Sequence, residues 1–276
     1  MTQFTTLISA PELQTLLASG QPCMVFDCSF DLMQPDAGTS QYLQAHIPGA
    51  VYAHLDTALS AKGDKTVTGA ASGGRHPLPS RENFATWLGS VGFNNTTQAV
   101  VYDRQGVNYC GRLWWMLKWL GHDNVAVLDG GLQAWQAAGG AVSHGLETAK
   151  NKSNYVPAHA GYAQAAIETV AKNLGYATQN LIDARGAPRF RGEVEPLDPV
   201  AGHIPGALNR PFTANMGPAV AVTFLQRALT ALNRNVEFGK AYKIQGTPTL
   251  IFQNGNRVPG AIDAAQIEKL LNESKS

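Results

Sequence analysis

A chain of 276 residues, 44% hydrophobic and 15% charged, has room for two ordinary domains and the balance of a globular protein. Its formal net charge of +1, with Lys and Arg scattered rather than blocked, argues against a nucleic-acid or anionic-membrane binder. Three cysteines, Cys23, Cys28 and Cys110, are too few for a disulfide scaffold; no signal segment opens the sequence and no run approaches the roughly 20 apolar residues of a membrane span, so a cytoplasmic location is expected.

Alternating elements follow in chain order. Ser9 is placed to cap a helix over "SAPELQTLLASG", which Gly20 ends. "CMVFDC" (23–28) and "AVVYD" (99–103) read as buried parallel strands, and "VAVL" (125–128) as a third. Cys23 and Cys28 flank "MVFD", about 16 Å apart on opposite faces, too far for a disulfide, and are expected as buried or half-buried thiols. Pro-Gly at 48–49, inside "AHIPGA" (45–50), sets a turn. Ser80 caps a second helix, "SRENFATWLGSVG", with Phe84, Trp87, Leu88 and Val91 apolar and Gly92 at its end. "GRLWWMLKWLGH" puts Leu113, Met116, Leu117 and Leu120 on one helix face, and "GGLQAWQAAGG" is a short helix between glycines. Strand–helix alternation of this kind predicts an α/β fold, a parallel sheet with helices on both faces.

The polar stretch 147–161 reads as a linker between a first module, residues 1–146, and the front of a second, 162–217. After it the opening pattern recurs: a helical stretch, "NLIDAR" ending a strand at Asp183, then "GHIPGALNRPF" (202–212). Asp27 to His46 is 19 residues and Asp183 to His203 is 20, the signature of an internal duplication.

Strand-Asp followed by "HIPGA" in two linked copies, with "GRHPLPS" (74–80), "LDGGLQAWQAAG" (128–139) and "DARGAPRFRGEVEPLDPVAGHIPGALNRPF" (183–212), resembles the two-domain rhodanese-type sulfurtransferases, which act on thiosulfate or 3-mercaptopyruvate, over about residues 5–212. The resemblance implies a parallel sheet in each module and a cysteine in the second module, opening a strand-to-helix loop, that accepts sulfane sulfur as a persulfide. Backbone N–H groups and a helix N-terminus can make such a thiol acidic. The first module is then a non-catalytic partner: its loop position holds Asp103, which cannot carry a persulfide. Cys110, at the start of the following helix, reads either as a reactive thiol or as an ordinary helix residue beside bulky tryptophans. In the second module the nucleophile's strand is expected near 250–260, where the sequence is "LIFQNGNRVPG"; no cysteine occurs after Cys110. Arg185 and Arg189 match positions that help hold an anionic substrate, for which guanidinium forks are suited; otherwise they are two exposed arginines. The histidines of the two HIPGA copies are expected in structural turns, and no metal or cofactor is implied.

From about residue 218 the pattern changes. "TFLQRALTALN" has a helical face; "TLIF", "NG" (254–255) and "RVPG" read as a hairpin; Asp263 is placed to cap a last helix. "GTPT" before a strand, then "NG…VPG" and a helix, resembles the end of a thioredoxin-fold disulfide isomerase over about 225–273, which implies a cis proline at Pro248. That family's C-x-x-C is absent. The join, near 214–222, is of a kind that arises by natural or engineered recombination or in gene assembly, and the borrowed segment either completes the second sheet or follows it. Three functions are therefore weighed: a sulfurtransferase by family, inactive for want of its cysteine; a non-catalytic anion-binding or scaffold protein; and a thiol-disulfide protein without its dithiol. The expected partner is a small anionic sulfur donor, and the expected state a monomer.

Overall fold

The computed structural model describes residues 3–62, 74–148, 150–175, 181–215, 249–251 and 257–259. The chain divides into two compact units, residues 1–222 and 223–276.

The first module is a five-stranded, all-parallel sheet. Its strands are β1 (Leu7–Ile8), β2 (Cys23–Asp27), β3 (Val51–Tyr52), β4 (Gln98–Tyr102) and β5 (Val125–Leu128), in the order β1-β5-β4-β2-β3. Interleaved are α1 (Ala10–Ala18), α2 (Pro35–Gln44), α3 (Arg81–Ser90), α4 (Cys110–Trp119) and α5 (Gly131–Ala137). The two-residue period of the strands sorts the core. Met24, Phe26, Ala99, Val101, Val125 and Val127 pack against α3 and α4. Val25, Val100, Tyr102, Ala126 and Leu128 pack against α1 and α5. Cys28 joins the first cluster and Cys23 the second, on opposite faces as their odd spacing requires.

The helix starts follow local rules. Ser9 and Glu12 form a reciprocal capping box at α1, and Ser80 accepts the Asn83 N–H at 3.1 Å at α3. Replacing Ser9 by Ala leaves the Glu12 N–H without its cap and is expected to lower stability by about 1 kcal/mol, read as a lower urea midpoint at unchanged slope.

The stretch 147–161 is not a free tether. Its single aromatic, Tyr155, is buried and stacks on Phe93 at 5.6 Å. Backbone N–H groups of Ser153 and Ala158 donate to the carbonyls of Gly89 and Leu120, both at 2.9 Å, and Asn95 brackets Val156 from both sides. One buried ring and a few main-chain bonds bind this polar segment as a strap along the ends of α3 and α4.

The second module begins with α6 (Ile167–Lys172), β6 (Ile182–Asp183), α7 (Ala187–Phe190) and β7 (Leu208–Asn209), closed by a 3-10 turn at Phe212–Asn215. Strands β6 and β7 pair in parallel with Asp183 opposite Asn209, as Asp27 lies opposite Tyr52. In the first module β4 pairs along the other side of β2; among the described residues nothing pairs with that edge of β6. The consequence is exposure: Phe26 is buried, whereas Ile182 and Leu208 are 57% and 60% exposed.

In the second unit, β8 (Thr249–Ile251) and β9 (Arg257–Pro259) form the expected antiparallel hairpin, with Leu250 opposite Val258. Pro248, the helical segment before it and the Asp263 helix lie outside the described residues.

Candidate active-site cleft

The loop between β4 and α4 is the strand-to-helix loop that Asp103 opens. Asp103 turns its own carboxylate back into the loop. Oδ1 accepts the N–H groups of Gln105 and Val107, both at 2.9 Å; Oδ2 accepts those of Tyr109 at 2.8 Å and Cys110 at 2.9 Å. Four backbone donors thus converge on one buried carboxylate. The ring of donors needs two consecutive left-handed residues, Gly106 at φ 71° and Val107 at φ 72°. A β-branched residue there is strained, and the carboxylate holding its N–H offsets the cost.

Of the two readings of Cys110, this geometry supports the ordinary helix residue over the reactive thiol. The residue is completely buried in the α3–α4 core. Burial, then the neighbouring Asp103 charge, pushes its thiol well above the ordinary range. A signal for this was present: Cys110 precedes Leu113 by three residues and Leu117 by seven, so it continues the buried face of α4. Burial likewise raises Cys28 well above, and Cys23 to about 11.

The two HIPGA copies are built alike. The Pro-Gly turns close with Ala50 N–H donating to Ile47 at 2.9 Å and Ala207 N–H to Ile204 at 3.0 Å, with Gly49 and Gly206 at φ 73° and 80°. His46 stacks on Tyr42 at 4.0 Å and His203 on Phe190 at 3.7 Å, each with Nδ1 at a carbonyl of its stacking partner. Each strand-ending aspartate accepts the N–H two residues on, Ser29 and Arg185, at 2.8 Å. Both also take an arginine, but from different places. Arg104, from the β4–α4 loop, reaches Asp27 at 3.4 Å and the carbonyl of Ala45. Arg185 folds back on Asp183 at 2.6 Å and donates to the carbonyl of Gly202, the residue preceding its HIPGA. Arg185 therefore does within its own loop what Arg104 does from the β4–α4 loop.

A cleft of about 600 Å³ opens between the first module and the second. Arg75, His76 and Arg112 line it from the first, Arg185 and Arg189 from the second, with Leu55 and Phe212 as apolar flanks. The two sequence-identified arginines are thus brought together; Asp103 and Cys110 are not among the lining residues. Arg75, His76 and Arg112 were not singled out in the sequence, although "GRHPLPS" contains two of them. Arg112 is fixed by donating to the carbonyls of Leu59 at 2.9 Å and His76 at 3.0 Å. His76 Nε2 lies 3.0 Å from Asp56 Oδ1, at ion-pair distance but out of hydrogen-bond alignment. Burial lowers the His76 pKa despite the neighbouring Asp56.

The cleft arginines are already paired. Glu195 takes Arg189 Nε at 3.1 Å and Nη2 at 2.7 Å, and Arg185 at 3.4 Å. Arg189 also reaches Asp198 at 2.7 Å, and Asp198 reaches Arg75 at 3.0 Å. The Arg189 bonds, with help from two backbone N–H groups, hold the Glu195 carboxyl down to about 2 against 4.5. A depressed carboxylate contributes fully above its unfolded value and loses that contribution as pH falls through the folded one. The network is therefore expected to hold at pH 5 and to fade between pH 4.5 and 2. Acid titration of stability checks this: wild type and Glu195→Gln should differ at pH 5 and converge by about pH 2.

Fold, duplicated aspartate–HIPGA device and cationic intermodule cleft define one class, and the chain belongs to the rhodanese-type sulfurtransferase family. A rhodanese-like domain model matches residues 9–138 and a thioredoxin-like domain model matches 206–275, starting ahead of the 214–222 change of pattern. Among relatives, the chain is 43% identical over 212 residues to a probable 3-mercaptopyruvate sulfurtransferase of Pseudomonas aeruginosa, covering 76% of this chain and 72% of that one. It is 36% identical over 207 residues to the human 3-mercaptopyruvate sulfurtransferase, covering 71% and 64%. The crystal structure of SseA from Escherichia coli, described as having the rhodanese fold of 3-mercaptopyruvate sulfotransferases, superposes with a TM-score of 0.63 at 31% identity, over 76% of each chain. In the described residues no helix is long and apolar enough to cross a membrane.

Proposed function

We propose that this chain keeps the anion-binding half of a 3-mercaptopyruvate or thiosulfate sulfurtransferase and lacks the sulfur-accepting half. The observation that carries the reading is the cleft, in which Arg75, Arg112, Arg185 and Arg189 converge on one 600 Å³ space. Guanidinium forks match the geometry of a carboxylate or thiosulfate. Sulfur transfer further requires a thiolate that attacks the sulfane sulfur, and thiolates form where charge and backbone donors lower the pKa. All three thiols of the chain are shifted the other way, and the four-donor loop is filled by Asp103. In this reading residues 1–146 are the non-catalytic partner, 162–217 supply Arg185 and Arg189, and 218–276 add a thioredoxin-like segment without a C-x-x-C. The ligand is a small anionic sulfur compound, bound by a cytoplasmic monomer with no nucleic-acid, membrane, metal or cofactor requirement. Isothermal titration with thiosulfate and with 3-mercaptopyruvate tests it. Binding of either, lost in the double variant Arg185→Ala with Arg189→Ala, is expected; no binding of either to wild type contradicts the reading.

A further inference from the structure

We propose that Asp198 is a built-in competitor anion that determines which ligands enter the cleft. The inference rests on the anion-binding reading above and names the residue that sets its selectivity. Asp198 straddles the two modules: Oδ1 accepts from Arg75 Nη2 at 3.0 Å and Oδ2 from Arg189 Nη2 at 2.7 Å. Its two oxygens thus occupy the position that an oxyanion bridging both guanidiniums would take.

The two carboxylates on Arg189 are not equivalent. Glu195 is 6% exposed, engages the guanidinium through both Nε and Nη2, and also accepts the N–H groups of Leu197 at 3.1 Å and Asp198 at 3.0 Å. It holds Arg189 and the loop in place and is not readily exchanged. Asp198 and Arg75 are each 39% exposed, and ion pairs of that exposure contribute little. An incoming anion therefore displaces Asp198 and leaves Glu195.

Charge then decides entry. Arg75, Arg112, Arg185 and Arg189 line or border the cleft with Asp183, Glu195 and Asp198 paired to them, four positive against three negative charges. A neutral sulfur compound has nothing to offer in exchange for Asp198 and is excluded. An oxyanion restores both guanidinium bonds, and a dianion gains further attraction from the same groups.

Sulfate, a tetrahedral dianion, is the probe, titrated calorimetrically into wild type, Asp198→Asn, Arg75→Gln and the double variant. Asp198→Asn is expected to bind sulfate about fivefold more tightly than wild type, the size of one exposed ion pair. The gain should shrink when Arg75 is already Gln, because the two act at one seat. Unchanged or weaker binding in Asp198→Asn, with Arg75→Gln weakening it, would leave the cleft an anion site but overturn the competitor role, making Asp198 a simple latch. An equal gain in both backgrounds would overturn it as well, since it would reflect net charge alone. Sulfate binding to none of the four proteins overturns both this proposal and the cleft reading.

Discussion

Asp103→Ala is expected to destabilise the first unit by about 4 kcal/mol, a loss of about 8–16 °C in Tm for a unit of this size. The magnitude follows from what the carboxylate holds. Four backbone N–H groups point at it, and each is a charge-assisted bond in a buried site. Alanine leaves the donors facing a space that water can only partly satisfy. It also removes the group that keeps Val107 at a positive φ, so the loop is free to relax into an ordinary helix approach. Asp103→Asn separates charge from shape. Its amide retains one acceptor and turns an NH₂ toward N–H donors, so its cost should fall below that of Ala without vanishing. Calorimetric melting of the three proteins checks the order: wild type, then Asn, then Ala.

The second large effect compares two arginines that do one job. Asp27 is fully buried, and Arg104 from the β4–α4 loop is its cationic partner. Removing one partner of a buried pair strands the other, so Arg104→Ala is expected to cost about 3–5 kcal/mol. Arg104→Lys should recover little of it, because a single ammonium cannot serve Asp27, Ser29 and the Ala45 carbonyl together as the fork does. In the second module Asp183 retains 14% of its side-chain exposure and Arg185 27%. Water screens what is lost there, so Arg185→Ala should cost clearly less than Arg104→Ala. Urea denaturation of both variants checks the ranking, and equal costs would show that the two devices are not distinguished by burial.

The contrast also explains what could be read from the sequence. Elements governed by neighbours a few residues away were legible: the Ser9 and Ser80 caps, the alternating strands, the α4 face and the two Pro-Gly turns. The repeated strand-Asp and HIPGA were legible as a family signature because their spacing is local. What depended on remote contacts was not. Nothing near Arg104 indicates that its partner is Asp27, 77 residues earlier. Arg75, His76 and Arg112 join the cleft only once the second module lies across the first. The stretch 147–161 reads as a linker because its composition is polar, yet one tyrosine and a few carbonyls seat it. Arg185 and Arg189 stand out in the sequence as candidate anion-holding residues and line the cleft, whereas their carboxylate partners Glu195 and Asp198 carry no signal. Acidic residues in a loop look like solvated surface until the guanidiniums opposite them are placed.

In the proposed function, the family's cleft persists in a chain with no thiol fit to accept sulfur. The most direct measurement is intact-protein mass spectrometry after incubation with 3-mercaptopyruvate or thiosulfate, with a parallel assay for thiocyanate formed from cyanide. No gain of a sulfur atom on the chain and no thiocyanate above the protein-free rate are expected. A one-sulfur adduct mapped to Cys23, Cys28 or Cys110, with turnover abolished by replacing that cysteine with serine, would contradict the proposed function.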